Sequence, residues 1–284
     1  MIDCLFVPYN VDYYKSNMHA IVYDRQLKDL DLDSVFDCLD NVNISIFHLD
    51  DYENMKFNQI IEPLKDYVKA KKPRLILGFN HGLSYPSITG LNPKNIVLVD
   101  SHDDTYDKPE IKYLANTNWA KKLLVENHRS RWLWVHTSHI SEWNIMPPLL
   151  SYDNVVDFVR FYNYEFNHGE NDDIPSNMVD EALTRFVSKN IWLKDEPFYL
   201  TVCSDGIRDF SDFSNYAEAP NFYFENLKTL IKLGPETMDL MEFGRAFIME
   251  ERTEQILSYL QEIIDILDTH PPASKPLLKL QQNI

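Results

Sequence analysis

A three-layer α/β fold, with helices on both faces of a mainly parallel sheet, is the class that this sequence predicts. Three observations carry it. Short apolar runs of strand length alternate along the chain with stretches of helical periodicity, the order expected of such a domain. The clearest runs, Leu75-Ile76-Leu77 and Ile96-Val97-Leu98-Val99, are continuous rather than alternating, as in strands covered on both faces. The chain has 284 residues, 44% of them hydrophobic and 13% aromatic, enough for one large domain with a well-buried core. Seven glycines are few for this length and argue against a glycine-rich nucleotide-binding loop.

Taken in order, Cys4–Val7 reads as a strand, with a second at Ala20–Tyr23 and a clearer one at Ile44–Leu49. Residues Phe57–Lys71 place Ile60, Ile61, Leu64, Tyr67 and Val68 at helical spacing. Arg74–Phe79 and Asn95–Val99 are strands, Asn118–Glu126 a helix and Trp132–His136 the next buried strand. Ser176–Ser188 carries Met178, Ala182, Leu183 and Phe186 on one helical stripe, and Phe198–Cys203 is again a strand. Arg252–Leu267 repeats apolar positions as an amphipathic helix. Glu165–Ser176, rich in turn formers, reads as a surface loop, and the end of the chain from Pro271 as a loosely attached tail. One domain over residues 1–284 is expected, with no internal repeat.

The net charge of -17 repels phosphates and anionic lipid, so binding to nucleic acid or to a membrane surface is not expected. It favours a cationic partner. No apolar run reaches the roughly 18 residues of a membrane span. The start, Met1-Ile2-Asp3-Cys4-Leu5-Phe6-Val7, lacks the basic opening and long apolar stretch of a signal peptide. Cys4, Cys38 and Cys203 are too scattered for a disulfide framework or a paired-cysteine zinc site, and a reducing cytoplasm fits them.

In open α/β sheets, ligands bind beyond the carboxyl ends of the strands. Three predicted strands end in metal-ligand residue types: Asn80-His81-Gly82 after the first, Asp100-Ser101-His102-Asp103-Asp104 after the second and Cys203-Ser204-Asp205-Gly206 after the third. In an extended segment positions 100, 102 and 104 project to one side. Two carboxylates and an imidazole suit manganese, iron or zinc, and carboxylate-rich sites lean toward manganese. A pair of such ions can share a water and lower its pKa toward neutrality. The ligand set expected is Asp100, His102, Asp104 and Asp205, joined by His81 and Cys203. Ser101 and Asp103 alternate with these and face away.

Val97–Asp104 resembles the Asp-Ala-His-x-Asp signature of the arginase, agmatinase and ureohydrolase superfamily. Asn80-His81-Gly82 is similar to a degenerate form of its Gly-Gly-Asp-His element, and Cys203-Ser204-Asp205 stands where the family has an Asp-x-Asp pair. A closer resemblance is to a divergent arginase-like family that includes the peptide arginases, which convert arginine to ornithine within ribosomally made peptides. It rests on Asp100–Asp104, Asn118-Trp119, Trp134-Val135 and the Cys203 to Asp205 element, and spans residues 74–210. The resemblance implies two manganese ions, a metal-activated water attacking the guanidinium carbon, and an arginine-containing peptide as substrate. It implies catalytic roles for Asp104 and Glu242, with Glu242, from the run Asp239–Phe243, as the carboxylate that grips the planar guanidinium. His136, with His139 nearby, is expected to line the same edge and contact substrate. Trp119, Trp132 and Trp134 read as core. His19 is assigned no role.

The chain departs from the family pattern at Cys203, since a soft thiolate suits manganese poorly. It also lacks a match for the arginase proton-shuttling histidine and for the segment that clamps the α-carboxylate of free arginine. An arginine inside a peptide has no such carboxylate. Two other readings stay open: a metal-dependent deacetylase of a lysine-like amine, although no His-His pair occurs, and a non-catalytic protein that has lost a working metal pair.

Overall fold

The computed structural model describes residues 1–11, 21–23, 32–50, 55–102, 104–105, 114, 118–126, 129–136, 153–158, 165, 178–190, 192–210, 222–243 and 250–272. Its strands are β1 (Ile2–Val7), β2 (Tyr9–Val11), β3 (Ile21–Tyr23), β4 (Val42–Ile46), β5 (Leu75–Gly78), β6 (Asn95–Asp100), β7 (Arg131–His136), β8 (Val155–Asp157), β9 (Tyr199–Cys203) and β10 (Thr237–Met241). Its helices are α1 (Leu32–Phe36), α2 (Ile61–Lys71), α3 (Ser84–Leu91), α4 (Trp119–Glu126), α5 (Val179–Lys189), α6 (Trp192–Asp195), α7 (Phe224–Ile231) and α8 (Glu250–Thr269). Eight strands form one sheet in the order β4-β1-β5-β10-β9-β6-β7-β8, and every pairing within it is parallel. β2 and β3 pair separately as an antiparallel ribbon.

The continuous apolar runs are explained by what covers them. Strand side chains alternate between faces, and both faces are dry. On one, Phe6, Leu75, Leu77, Val97, Val99, Leu133, Leu200, Val202, Met238 and Leu240 meet the inner stripes of α5, α7 and α8. The α8 stripe is Ile256, Leu260, Ile263, Ile264 and Leu267, spaced at three and four as a helix requires. On the other face, Leu5, Ile76, Ile96, Leu98, Trp132, Trp134 and Met241 meet Leu64 and Val68 of α2, Ile88 of α3, and Trp119, Leu123 and Leu124 of α4. This is the three-layer α/β arrangement expected.

The strands at the sheet edge and the polar elements differ from expectation. β4 covers Val42–Ile46 rather than Ile44–Leu49, because its pairing with β1 begins at Ile2↔Val42. Among the described residues the Phe47 N–H, donated to the Phe6 carbonyl at 2.9 Å, carries the contact further. β2, β8, β10, α1, α3, α6 and α7 have no counterpart in the reading from sequence. In β10 the reason is chemical: Thr237 and Asp239 interrupt the apolar run, yet all five residues are buried. The α3 segment contains Pro86, which sits in the first helical turn, where its missing N–H has no partner to lose. Most of the expected loop Glu165–Ser176 and of the expected tail lies outside the described residues. No helix among the described residues is long and apolar enough to cross a membrane.

The topology places four strand ends side by side. β5, β10, β9 and β6 are adjacent at the middle of the sheet and point the same way. The residues that follow them therefore share one carboxyl edge, where open α/β sheets bind ligands.

Candidate metal centre

Each of the four strand ends turns a polar side chain inward by a local device. After β5, Asn80 caps a short 3-10 turn, His81–Leu83, its side chain accepting the Gly82 N–H at 2.9 Å. This carries His81 into the edge, 1% exposed, with Nε2 lying 3.2 Å from Thr201 Oγ1 of β9. After β6, the His102 N–H donates to Asp100 Oδ1 at 2.8 Å, which bends the chain back over its own strand. Asp104 follows with φ at 48°, and its Oδ2 accepts the Trp119 indole N–H at 2.5 Å. After β9, the turn Ser204–Gly206 holds Asp205, 1% exposed, and Ser101 Oγ donates to the Asp205 carbonyl at 2.9 Å. After β10, Glu242 has φ at 64°, donates its N–H to the Gly78 carbonyl at 2.9 Å and is 2% exposed.

Among the described residues, Asp104 and Glu242 are two of five non-glycine residues with positive φ. Lys72 and Asn92 of that set end helices in the left-handed cap conformation, a common arrangement. Asp104 and Glu242 end no helix. A left-handed backbone at such residues costs about 1–3 kcal/mol and persists where surrounding structure enforces it, most often at functional sites.

Among the described residues three overlapping groups of donors result, each with its ligand atoms within 4.8 Å of one another: His81, Asp100 and Cys203; Asp100, His102 and Asp205; Cys203, Asp205 and Glu242. Asp104 joins them through His81, with Oδ2 lying 3.0 Å from Nδ1. His102 Nδ1 lies 3.1 Å from Asp205 Oδ2, with its side chain 40% exposed.

Some of the donor atoms fit a cation and not one another. His81 Nδ1 lies 2.9 Å from Asp100 Oδ2, the separation of a hydrogen bond but not its alignment, and both atoms are buried without a hydrogen-bond partner. Asp205 Oδ1 and Ser204 Oγ are in the same state. A buried polar atom left unpaired costs about 1–3 kcal/mol, and more when charged. Native structures keep few such atoms, and a cluster of them marks a ligand or ion. The donor types, carboxylates and imidazoles with one thiol, are those of divalent transition metals.

The electrostatics agree. Burial lifts the Asp100 carboxyl well above the ordinary carboxylate range, and the charges of Asp104 and Asp205 add to it. Burial also raises Asp104. Burial acts to lower both imidazoles, but the neighbouring carboxylates outweigh it. Asp100 and Asp104 hold His81 well above the ordinary value, and Asp205 with Asp100 pushes His102 up to about 10. Burial works to raise Asp205 too, but the hydrogen bonds of His102 and Cys203 bring it below the ordinary value. These shifts favour protons on the two imidazoles and on Asp100 wherever no cation is bound.

Behind His81 lies a polar seam that the reading from sequence missed. Thr201 Oγ1 lies 3.3 Å from Ser84 Oγ of α3. Asp239 of β10, fully buried, accepts the Tyr199 hydroxyl at 2.7 Å and is bonded to Thr201 and Ser84 as well. Through Thr201 this carboxylate is linked to the His81 ring at Nε2, which leaves Nδ1 on the side of Asp100 and Asp104. Two signals were available. Tyr199, Thr201 and Cys203 alternate onto one strand face, and a lone aspartate stood inside the apolar run Met238–Met241. Trp119 is core, as expected, and also pins Asp104. Of the histidines after β7, residue 136 pairs in register with Asp100, which places its backbone beside the centre. Its side chain, His139, His19 and Asp103 lie outside the described residues.

The sequence profile of the arginase family matches residues 6–210. The chain belongs to the arginase family. No curated protein matches it in sequence. Among solved structures it is similar to proclavaminate amidino hydrolase from Streptomyces clavuligerus, with 15% identity over 93% of this chain and 90% of that one, at a TM-score of 0.59. It is similar to the agmatine ureohydrolase of Thermoplasma volcanium, with 17% identity, 94% and 89% coverage and a TM-score of 0.59. It is also similar to formimidoylglutamase from Bacillus subtilis, with 12% identity, 95% and 88% coverage and a TM-score of 0.58. At these identities the likeness establishes the arginase fold.

Two outcomes are expected of the centre. A Cβ on Gly206 would meet the backbone Cα of Asp100 at 2.9 Å, closer than such atoms pack, so Gly206→Ala must push the Asp205 turn away from β6. Isothermal titration should then show divalent-metal affinity reduced at least tenfold with the far-ultraviolet circular dichroism unchanged; unaltered affinity would mean that the turn carries no ligand. The second outcome concerns pH. A histidine raised in the folded state stabilises below its unfolded value and loses that contribution as pH rises through the folded one. In chelator, the thermal midpoint should therefore fall between pH 6.5 and about 10 in a manner that His102→Asn reduces. Saturating metal should flatten the same profile, because bound cations replace the protons.

Proposed function

We propose that this arginase-family chain is a metal-dependent hydrolase of a guanidinium group, and that its substrate is arginine within a peptide, converted to ornithine with release of urea. The observation that carries the reading is the set of buried, unpartnered donor atoms on Asp100, Asp205 and His81, lying beside the buried carboxylate of Glu242.

Two divalent ions fit the donors. Asp100, His102 and Asp205 form a position of carboxylates and imidazole that suits manganese, and His81, Asp100 and Cys203 form a second. When bound, the ions supply Lewis acidity and lower the pKa of water. The protein's own groups do the rest. Glu242 accepts the N–H fork of the planar guanidinium, a charge-assisted contact that fixes the orientation of the reacting carbon. Its enforced backbone conformation keeps that carboxylate aimed at the centre. Asp104, raised by burial and held by Trp119, takes the proton that the attacking water gives up. His102, half exposed at the rim, borders the open side through which a substrate side chain enters.

The peptide form of the substrate is supported by the net charge of -17 and by the absence of a sequence match for amino-acid clamps. Contacts with a peptide remote from the reacting carbon can hold the guanidinium in place. The test compares catalytic efficiency for free L-arginine, agmatine and a short peptide with a central arginine, in the presence of manganese. The peptide should win by tenfold or more, about 1.4 kcal/mol in transition-state binding. An advantage of that size for free arginine would make the chain a small-molecule ureohydrolase. Asp100→Ala should abolish turnover and bound metal together; a variant retaining both would remove the centre from the mechanism.

A further inference from the structure

We infer that Cys203 is a thiolate ligand, and that it makes the position formed with His81 and Asp100 select a thiophilic divalent ion (zinc, cobalt or ferrous iron) over manganese. The two positions of the centre are then chemically unlike. The inference rests on the metal-centre reading given above and adds to it the identity of the ion in one position.

Cys203 is the last residue of β9, 2% exposed, and alternation along the strand puts it on the same face as Thr201. Its Sγ belongs to two of the three donor groups, lying within 4.8 Å of ligand atoms of His81 and Asp100 on one side and of Asp205 and Glu242 on the other. Ligands held at about 2.0–2.3 Å from a common zinc-like ion stand no more than about 4.6 Å apart, so the first group needs little movement to close on one cation. The sulfur is not alone in pointing there: His81 Nδ1 and Asp100 Oδ2 are buried and without hydrogen-bond partners.

Charge and softness separate the candidates. A thiolate carries the same unit charge as a carboxylate, so cysteine at this strand end preserves the charge of the ligand set. It changes the hardness. Thiolate and imidazole together favour zinc, cobalt and iron, and manganese, which prefers oxygen, stands at the weak end of the affinity order for divalent first-row metals. The position of Asp100, His102 and Asp205 contains no sulfur and keeps the preference of a carboxylate site. Binding converts the thiol and the aqueous ion into a metal thiolate and one proton released to solvent. Disulfide formation does not compete: Cys4 and Cys203 are both buried free thiols, and Cys38 is a free thiol at the surface.

The experiment uses the full chain, stripped with chelator and titrated anaerobically with Co2+. One equivalent should generate the near-ultraviolet charge-transfer absorption of a cobalt thiolate. Cys203→Ser should lose that absorption while still binding Co2+ at the other position. Zn2+ should displace the band, whereas Mn2+ at the same concentration should not. In Cys203→Asp, which makes the ligand set all hard, the preference for zinc over manganese should fall at least tenfold. Co2+ binding with no thiolate band, or a metal preference unchanged in both variants, would overturn the role of Cys203 and leave the metal centre standing. Failure of the native chain to bind Co2+, Zn2+ or Mn2+ at all would overturn the centre and this inference with it. Should the variants not fold, X-ray absorption on the native zinc-loaded protein decides the matter, since a sulfur scatterer at about 2.3 Å is expected and its absence is contrary.

Discussion

The structure depends on one electrostatic constraint. Asp100, Asp104, Asp205 and Glu242 are buried together at one edge of the sheet, and so many carboxylates cannot all be charged there without counter-ions. Two imidazoles, His81 and His102, lie among them and are driven toward the protonated form. Protons meet the charge requirement but leave donor atoms unpaired. Cations meet both demands. The left-handed backbone at Asp104 and Glu242, the unpaired oxygens of Asp100 and Asp205 and the indole aimed at Asp104 all follow from holding these groups at that edge.

The sheet is what makes the crowding possible. β5, β10, β9 and β6 lie side by side with their carboxyl ends together, and each contributes its next residues to the same small volume. The dry faces of the sheet hold that register. Leu98 and Trp134 on one side and Val97 and Leu133 on the other are wholly buried, and alternate residues of the same strands serve the two helical layers. The polar seam of Thr201, Ser84 and Asp239 runs from the centre into the layer containing α3, so orientation of His81 is tied to the packing of a helix that holds none of the proposed ligands. Gly206 sets the closest approach, backbone against backbone, between two of the ligand-bearing turns.

What could be read from the sequence divides along physical lines. The buried parallel strands declared themselves, because a strand covered on both faces is apolar where it meets both helical layers, as β5 and the interiors of β6 and β7 are, while β9 keeps a short apolar run broken by Thr201. The candidate ligand residues that end those strands came with them: His81, Asp100, His102, Cys203 and Asp205 were legible from position, and the structure brings them together, while Asp104 is held by His81 and Trp119 and enters none of the donor groups. β10 was hidden because Asp239 serves the polar seam rather than the core, and breaks the pattern that marks a strand. Glu242 was therefore recognised only through family resemblance, without the strand that delivers it. Hydrogen bonds between distant segments, such as Trp119 to Asp104 or Tyr199 to Asp239, leave no local trace in sequence, since nothing in either segment names its partner.

Four strand ends assemble one candidate metal centre in which His81 Nδ1, Asp100 Oδ2 and Asp205 Oδ1 are left without hydrogen-bond partners. Anomalous diffraction from crystals of the manganese- or zinc-loaded protein tests it most directly. Anomalous peaks are expected between Asp100 and Asp205, with His81 Nδ1 and Asp100 Oδ2 drawn to an ion. Peaks confined to surface carboxylates, with His81 and Asp100 instead closed into a well-aligned hydrogen bond, would contradict it.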